Sequence, residues 1–429
     1  MKFFAASLLI GSLFPLIPAA PTPQSPSTDT SSSSSDKKFI VVLKDNININ
    51  QLKKHTQWAA KIHARNLQKR QSIGLPIERH VSGVEKTFDV NRFKAYSGSF
   101  DDETLREIED NDDVAYVEPE QVAYIEETVT QFPATWGISE LSNRVSNSST
   151  YYYDSSAGEG MYAYIIDSGI NFSHEEFEGR AELGYNALKH LNNTDTSGHG
   201  THVSGTVAGK TYGVAKKANL VNVKVFQGRT TSTINIFDGF NWAVQDILEK
   251  NRTNVAVINM SLTTKTSKAF NAMVDSAYEK GILSVVAAGN KNLSASLYSP
   301  ASANTSITVG AASRGHVRGS YSNWGPSVNL FAPGTGITSA GIANDTAVRV
   351  LTGTSMASPH VAGLICYLRA AEGLTDAKEV VDRMLGLAQK GVLNETTLNE
   401  SPNLLAFNGV ELNTNTYYEE PVGGDNYYY

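Results

Sequence analysis

Cysteine is almost absent from this chain: of its 429 residues, only Cys366 carries a thiol. One cysteine cannot form a disulfide within the chain, so a disulfide framework is excluded as a source of stability. Cys366 lies in an apolar stretch with helical spacing, residues 362–367. This pattern predicts a buried packing role and little access for thiol reagents.

An excess of basic charge is also lacking. The chain has 36 Lys and Arg residues against 43 Asp and Glu residues, which gives a formal net charge of −7 at pH 7. Because no extended basic face is apparent, we expect no nucleic-acid partner. With 41% hydrophobic residues, the chain is long and apolar enough to bury one large core and a smaller one.

Long apolar runs are missing after the first twenty residues. Residues 1–20 begin with one positive charge, continue as an apolar run and end in small residues, which predicts a signal peptide cut near Ala19 or Ala20. This run is too short for a spanning helix, so we expect no membrane span. Residues 21–36 are rich in Pro, Ser and Thr, which predicts a flexible linker.

A different pattern begins at Lys37. Asp101 is a typical N-cap residue and predicts the start of a short helix that runs to about residue 110. The pair Lys69-Arg70 could be a processing site, but its helical surroundings favour a solvated face. The other predicted elements are strands at 39–44, 93–100 and 114–119 and a helix at 49–71.

Three short motifs rich in glycine and hydroxyl side chains stand out in the remainder. An apolar run at 162–166 ends in Asp167, which predicts a buried strand with a carboxylate at its C-terminal end. His199 is flanked by glycines before a predicted helix, and Ser355 lies in a turn before an apolar helix. A serine at such a place is by itself more typical of a helix N-cap, but active sites of parallel sheets lie at the C-terminal ends of strands.

These motifs, in the order Asp, His, Ser, resemble those of the subtilases, the subtilisin-like serine proteases, and especially the fungal proteinase K-like branch. The likeness covers most of residues 133–410 and includes the stretch 211–217. It implies a subtilisin-like catalytic domain over residues 127–410, with a three-layer α/β fold and a mainly parallel sheet. It also implies a serine endopeptidase that needs no cofactor.

The resemblance assigns roles to four residues. It makes Ser355 the nucleophile, His199 the general base and later the general acid, and Asp167 the residue that orients His199. Asn290 follows the apolar run 282–288, and its side-chain amide would form an oxyanion hole together with the Ser355 N–H. His202 has no such role in the family and is interpreted as structural.

Other enzyme classes fit these residues less well. His199 and His202 suggest zinc, but the HExxH motif is missing and no cysteine or carboxylate cluster completes a site. Residues 353–357 narrowly miss the G-x-S-x-G motif, and the fold with that motif needs its Asp between the serine and the histidine. The main rival hypothesis is a catalytically silent or narrowly regulatory subtilase relative that acts by binding a protein.

Residues 37–126 resemble the inhibitory propeptide of subtilases, a small ferredoxin-like α+β module. The resemblance implies an intramolecular inhibitor and folding template for a self-processed zymogen, and we expect self-cleavage between Tyr124 and Gln131. Residues 411–429 are rich in tyrosine, follow the usual end of the family and predict a disordered tail. We expect a monomer.

The predicted substrate groove departs from the family pattern. Glycines are expected at two walls, but residues 229–232 are Arg-Thr-Thr-Ser and residues 261–264 are Ser-Leu-Thr-Thr, so specificity cannot be inferred from relatives. Ser313 replaces a family calcium-site carboxylate, so we expect no metal. The predicted substrate-binding residues are Arg229, Thr230, Thr231, Ser261, Leu262, Thr263 and Gly289.

Ten N-x-S/T sequons favour a glycoprotein of the secretory pathway. The resemblance to fungal subtilases implies a location outside the cell or in a cell or spore wall, or alternatively in the vacuole. Asn259 lies in a predicted buried strand and is not expected to carry a glycan. The other sequons begin at Asn147, Asn171, Asn192, Asn251, Asn292, Asn304, Asn344, Asn394 and Asn399.

Overall fold

A computed structural model describes residues 38–72, 81–120, 128–145 and 147–410. The predicted signal peptide, linker and tail lie outside the described residues, as does part of the expected cleavage stretch. The chain divides into two units, Met1–Tyr124 and Ile125–Tyr429. Within the described ranges, no helix combines the length and apolar content needed to cross a bilayer.

The N-terminal unit has the order of elements of a ferredoxin-like module, and its four-stranded sheet is antiparallel throughout with strand order β2-β3-β1-β4. This confirms the predicted α+β class for the segment. Strand β2 was not predicted, because its exposed, charged residues give no clear apolar alternation. The elements are β1 (Lys38–Leu43), α1 (Ile49–Ser72), β2 (Gly83–Val90), β3 (Phe93–Ser99), α2 (Asp102–Glu109) and β4 (Val114–Pro119).

Helix α1 packs on the sheet through one face. Its buried positions recur at intervals of three and four residues, as an amphipathic helix requires: Leu52, His55, Ala59, Ile62, His63 and Asn66. Asp101 caps α2 as predicted, since its carboxylate accepts hydrogen bonds from the N–H groups of Glu103 and Thr104, both at 3.1 Å.

The C-terminal unit is built on a long sheet with strand order β19-β20-β16-β14-β12-β10-β7-β9-β8, in which β15 pairs with β14. From β16 to β8 all neighbours on this path are parallel. The strands are β5 (Thr128–Gln131), β6 (Tyr151–Asp154), β7 (Tyr162–Asp167), β8 (Ala181–Asn186), β9 (Asn219–Lys224), β10 (Ala256–Met260), β11 (Thr264–Lys265), β12 (Leu283–Ala287), β13 (Tyr298–Ser299), β14 (Ile307–Ser313), β15 (Val317–Arg318), β16 (Leu330–Pro333), β17 (Ile337–Ala340), β18 (Val348–Leu351), β19 (Gln389–Lys390) and β20 (Leu404–Leu405).

Helices cover both faces of this sheet. They are α3 (Trp136–Glu140), α4 (His199–Ala208), α5 (Thr233–Glu249), α6 (Lys268–Tyr278), α7 (Thr354–Glu372) and α8 (Ala377–Leu387), with short 3₁₀ helices at Glu175–Phe177, Ala295–Leu297 and Glu395–Thr397. Alternate residues of β7 enter two separate cores: Ile165 packs with α4 and α7, whereas Ile166 packs with α5 and α6. The predicted three-layer α/β fold is confirmed.

Strand β7 lies where the order of the sheet reverses. The chain first adds β8 and β9 on one side of β7 and then places β10, β12, β14 and β16 on the other. In an open parallel sheet such a reversal leaves a crevice beyond the C-terminal ends of the strands, where ligands bind. The position of β7 therefore makes its C-terminal end the expected place for a functional site.

Candidate active site

Asp167 ends β7 at this crevice and is 2% exposed. His199 is the first residue of α4, which begins after Gly198, a residue with a φ of +76°. The Nδ1 atom of His199 lies 2.8 Å and 3.0 Å from the two carboxylate oxygens of Asp167. Because an ionised carboxylate can only accept, this contact assigns the proton to Nδ1 and leaves Nε2 free to accept one.

Opposing effects act on the imidazole of His199. Burial lowers its pKa, but the charge and the hydrogen bond of Asp167, helped by the charge of Asp195, outweigh burial and raise the pKa above its usual value. The charge of Arg349 acts in the opposite direction. The charged form of His199, which a general base must pass through, is thus stabilised by carboxylates.

Ser355 is the second residue of α7 and lines the same cleft as Asp167 and His199, which has a volume of about 440 Å³. Its hydroxyl donates a hydrogen bond to the carbonyl oxygen of Ser261 at 3.0 Å. No hydrogen bond between Ser355 and His199 is made in the described part of the chain. The alternative staggered rotamers of χ1 give the hydroxyl other directions within the cleft.

Asn290 follows β12, and its side chain is tied to the start of α7. Its Oδ1 atom accepts hydrogen bonds from the N–H of Thr354 at 2.8 Å and from the Thr354 hydroxyl at 3.0 Å. The same hydroxyl accepts the N–H of Gly289 at 3.0 Å. Because Oδ1 is held by two donors, the amide orientation is set and Nδ2 remains as a donor. A Cβ atom added to Gly353 would lie 3.4 Å from this Nδ2 and 3.7 Å from the backbone nitrogen of Ser355.

Asp195 is a buried carboxylate that sequence reasoning missed. Its two oxygens together accept five hydrogen bonds, from the hydroxyl of Ser168, the N–H groups of Ser197 and Gly198, and the N–H and hydroxyl of Thr201, at 2.7–2.9 Å. These contacts connect the residue after Asp167 with the turn before His199. The place of Asp195 in the sequence, four residues before the start of α4, gives no recognised motif, because an N-cap residue directly precedes its helix.

Lys224 contacts the residues next to Asp167 and Asp195. It ends β9, is fully buried, and donates hydrogen bonds to the carbonyl oxygens of Ser168 and Thr194. Burial lowers the pKa of this ammonium, while the charges of Asp195 and Asp167 raise it and offset part of the effect. A buried cation thus faces the two carboxylates around His199.

Comparison with known proteins decides the family. A family profile described as Subtilase family matches residues 158–406. Alkaline protease 1 of Emericella nidulans is 50% identical over 412 residues, which cover 96% of this chain and 99% of the relative. The chain belongs to the subtilase family.

Further comparisons agree with this membership. The subtilisin-like proteinase Mp1 of Magnaporthiopsis poae is 47% identical over 378 residues, covering 87% of this chain and 91% of the relative. The crystal structure of a cold-adapted subtilisin-like serine proteinase superposes with a TM-score of 0.60 and 35% identity, covering 65% of this chain and 100% of that one. A second profile, Peptidase inhibitor I9, matches residues 38–126. The protein is a subtilisin-like serine endopeptidase with an N-terminal inhibitor domain.

The walls of the subtilase cleft match the predicted substrate residues only in part. Arg229, Ser261, Leu262 and Thr263 line the cleft, as do Phe226, Gly228, Arg349 and Leu351, which were not predicted. Sequence reasoning missed Arg349 because β18 carries no motif. The predicted residues that do not line the described cleft are Thr230, Thr231 and Gly289.

These three residues have defined local contacts, and their part in substrate binding stays a prediction. Gln227 and Thr230 pair across a tight turn at whose tip lie Gly228 and Arg229. The hydroxyl of Thr231 donates a hydrogen bond to the carbonyl oxygen of Val225 at 2.5 Å. Gly289 has a φ of +106°, and a Cβ atom there would lie 2.4 Å from the amide nitrogen of Asn323, so this glycine serves backbone geometry.

Three other residues that the sequence singled out are buried inside the subtilase domain. His202 is fully buried, its Nε2 lies 2.9 Å from the carbonyl oxygen of Ile337, and burial lowers its pKa to about 4. Cys366 is 1% exposed, and burial raises the pKa of its thiol to about 12. Asn259 is fully buried in β10, as predicted for the sequon without a glycan.

Proposed function

We propose that Asp167, His199 and Ser355 form the catalytic triad of this endopeptidase and that Asn290 completes its oxyanion hole. The observation that carries the proposal is the contact of 2.8 Å between His199 Nδ1 and Asp167 Oδ1 in a cleft that Ser355 also lines. Nucleophile, base and orienting carboxylate are the three parts that acyl transfer requires.

The proposed reaction begins when a substrate enters and the Ser355 hydroxyl rotates from Ser261 towards His199. His199 Nε2 takes the hydroxyl proton as Ser355 Oγ attacks the scissile carbonyl carbon, and the imidazolium is stabilised by Asp167. The developing oxyanion receives hydrogen bonds from Asn290 Nδ2 and the Ser355 N–H. His199 then protonates the leaving amine, and water releases the acyl group by the same steps in reverse.

The substrate in this proposal is an extended polypeptide segment that lies between the turn at Gln227–Thr230 and the segment 261–263. Residues 38–126 act first as a folding template and then as a slow, product-like inhibitor of the same cleft. The zymogen cleaves itself between Tyr124 and Gln131. It enters the secretory route through residues 1–20, and the enzyme acts outside the cell, in a wall or in the vacuole.

One variant tests catalysis and processing together. The purified protein is treated with a fluorophosphonate probe, and its N-terminus is sequenced, beside the variant Ser355→Ala. We expect labelling of the mature form with a new N-terminus between residues 125 and 131, whereas the variant stays unlabelled and uncleaved. Turnover of the variant should fall by about six orders of magnitude, the loss known for serine removal in subtilisin, a member of this family.

Two results would contradict the proposal. Labelling that persists in Ser355→Ala would assign the nucleophile to another residue. A correctly processed protein that is never labelled would instead support the silent, protein-binding relative.

A further inference from the structure

Two arginines line the catalytic cleft and have no carboxylate partner within residues 38–72, 81–120, 128–145 and 147–410. Arg229 lies at the tip of the turn after β9, and Arg349 lies on β18. Among the described residues neither guanidinium forms a salt bridge. Arg349 donates one N–H to the carbonyl oxygen of Ser197 at 2.9 Å, which fixes the side chain. Its other N–H groups have no hydrogen-bond acceptor among the residues that the structure describes.

In the part of the chain that the structure describes, the cleft lacks free negative charge that could neutralise these arginines. Of the residues that line it, Asp167 alone carries a carboxylate, and that carboxylate is bonded to His199. Asp195 is buried and its oxygens are occupied by five donors. The cleft is therefore cationic on a chain whose formal net charge is −7.

The two arginines approach the catalytic residues from different elements. A Cβ atom added to Gly198 would lie 2.9 Å from a guanidinium nitrogen of Arg349, so Arg349 reaches the residue next to His199. His199 is the group that protonates the leaving amine, which places Arg349 near the leaving-group side. Arg229 follows Phe226 and Gly228 on the wall formed by the loop after β9.

We propose that this cleft selects polypeptide segments with acidic side chains near the scissile bond, with Arg229 binding a carboxylate on the acyl side and Arg349 one on the leaving-group side. The inference rests on the proposed function and adds a substrate class to it. A guanidinium matches a carboxylate with two parallel N–H···O bonds, and such pairs discriminate charge and geometry together. Unpaired arginines in an otherwise neutral groove therefore favour Glu or Asp over uncharged side chains.

The test uses quenched peptides that share one cleavable core and differ at a single flanking position, which is Glu, Gln or Lys. One peptide set varies the acyl side and the other varies the leaving-group side. For the mature enzyme we expect kcat/KM to follow Glu, then Gln, then Lys, with about two- to fivefold between Glu and Gln, the strength of an exposed ion pair. High salt should reduce the ratio, because exposed charges are screened.

Variants assign each preference to its arginine. In Arg349→Ser the ratio of kcat/KM between Glu and Gln peptides should fall to about one on the leaving-group side alone. In Arg229→Ser the same should happen on the acyl side alone. Arg349→Glu should cleave the Lys peptide of the leaving-group set fastest. Arg349→Lys keeps the charge and should retain part of the preference. Because ratios are taken within each variant, a general loss of activity cancels. Lys280→Ser removes one positive charge from another cleft, between α5 and α6, and should leave both ratios unchanged.

Three results would overturn the inference. They are equal cleavage of Glu and Gln peptides by the mature enzyme, unchanged ratios in both arginine variants, and a Lys280→Ser variant that alters the ratios as strongly as the arginine variants do. The proposed function survives each of these results, because peptides are still cleaved. Absence of cleavage of every peptide, together with absence of fluorophosphonate labelling, would overturn both proposals.

Discussion

Each of the two units contains an aspartate that accepts backbone N–H groups at the start of a helix, but the consequences differ. Asp101 in the N-terminal unit accepts the N–H groups of Glu103 and Thr104 through one oxygen and the Thr104 hydroxyl through the other. Asp195 in the C-terminal unit precedes α4 and accepts donors through both oxygens, three of them backbone N–H groups.

The difference lies in what surrounds each carboxylate. Burial raises the pKa of Asp101, but the hydrogen bonds from Thr104 and Glu103 and the charge of His63 bring it below the usual value, so the residue stabilises its own unit. Asp195 acts on His199 as well, because its charge raises the pKa of that imidazole. Similar capping chemistry thus serves stability in one unit and the electrostatics of a proposed active site in the other.

The largest expected effect is a difference between the two units in how readily each folds alone. In the N-terminal unit Val90 pairs with Phe93 in a local hairpin. In the C-terminal unit Tyr162 pairs with Ala256, which is far away along the chain. Such distant parallel pairings fold slowly because chain closure precedes the stabilising contacts. We expect residues 128–410 refolded alone to give at least about tenfold fewer fluorophosphonate-labelled sites than the full chain.

Adding residues 38–126 as a separate polypeptide should restore the labelling. Full labelling of residues 128–410 without any addition would show that the catalytic unit folds unaided and would remove the template role.

The second effect compares the same substitution in both units. In Asp195→Asn one oxygen is replaced by an amide nitrogen, which faces backbone N–H groups that cannot accept a hydrogen bond. Leaving one buried group without a partner costs about 1–3 kcal/mol. We therefore expect kcat/KM to fall by about ten- to a hundredfold. Loss of the charge should also lower the pKa of His199, which moves the acid limb of the kcat/KM profile to lower pH. Rates are measured per labelled site.

Asp101→Asn is the matched control. Its amide oxygen still accepts both N–H groups, and its nitrogen can donate to the Thr104 hydroxyl, so processing should stay within about twofold. Equal losses in the two variants would contradict the distinction between them.

The third effect is a loss of stability in acid that originates in the C-terminal unit. His202 and His360 are buried, and burial lowers the pKa of each to about 4. The unfolded chain binds these protons near pH 6.5 and the folded chain only near pH 4, so stability is complete above pH 6.5 and decreases as the pH falls towards 4. Each histidine should contribute about 2–3 kcal/mol to this loss.

Thermal unfolding of the Ser355→Ala protein between pH 7 and pH 4 measures this effect without self-digestion. A midpoint for the C-terminal unit that stays constant over this range would refute the assignment.

The smallest expected effect concerns the lone thiol. Cys366 is enclosed in α7, and its raised pKa leaves almost no thiolate at neutral pH. A thiol reagent such as iodoacetamide should modify none of the folded mature enzyme and leave activity within about 10%, while the unfolded chain reacts fully. Rapid modification with loss of activity would show that α7 opens.

Local patterns predicted much of the fold. The cap at Asp101, the apolar run of β7 and the helix starts at His199 and Ser355 depend on neighbouring residues and agree with the structure. Strand β2 was missed because its exposed, charged residues do not show the alternation of apolar and polar residues that indicates a strand. The part of Thr230, Thr231 and Gly289 in substrate binding stays a prediction, because the sequence does not show which way a loop residue turns.

The sequence by itself determined the family, the order of the motifs and the residue types available for catalysis, because these are encoded in short contiguous segments. The tertiary structure decided which charges meet. Asp195 and Arg349 carry no motif, and they act on His199 or on the cleft only because a parallel sheet brings distant segments to one end. Electrostatic effects depend on distance in space and on burial, and neither quantity is encoded in separation along the chain.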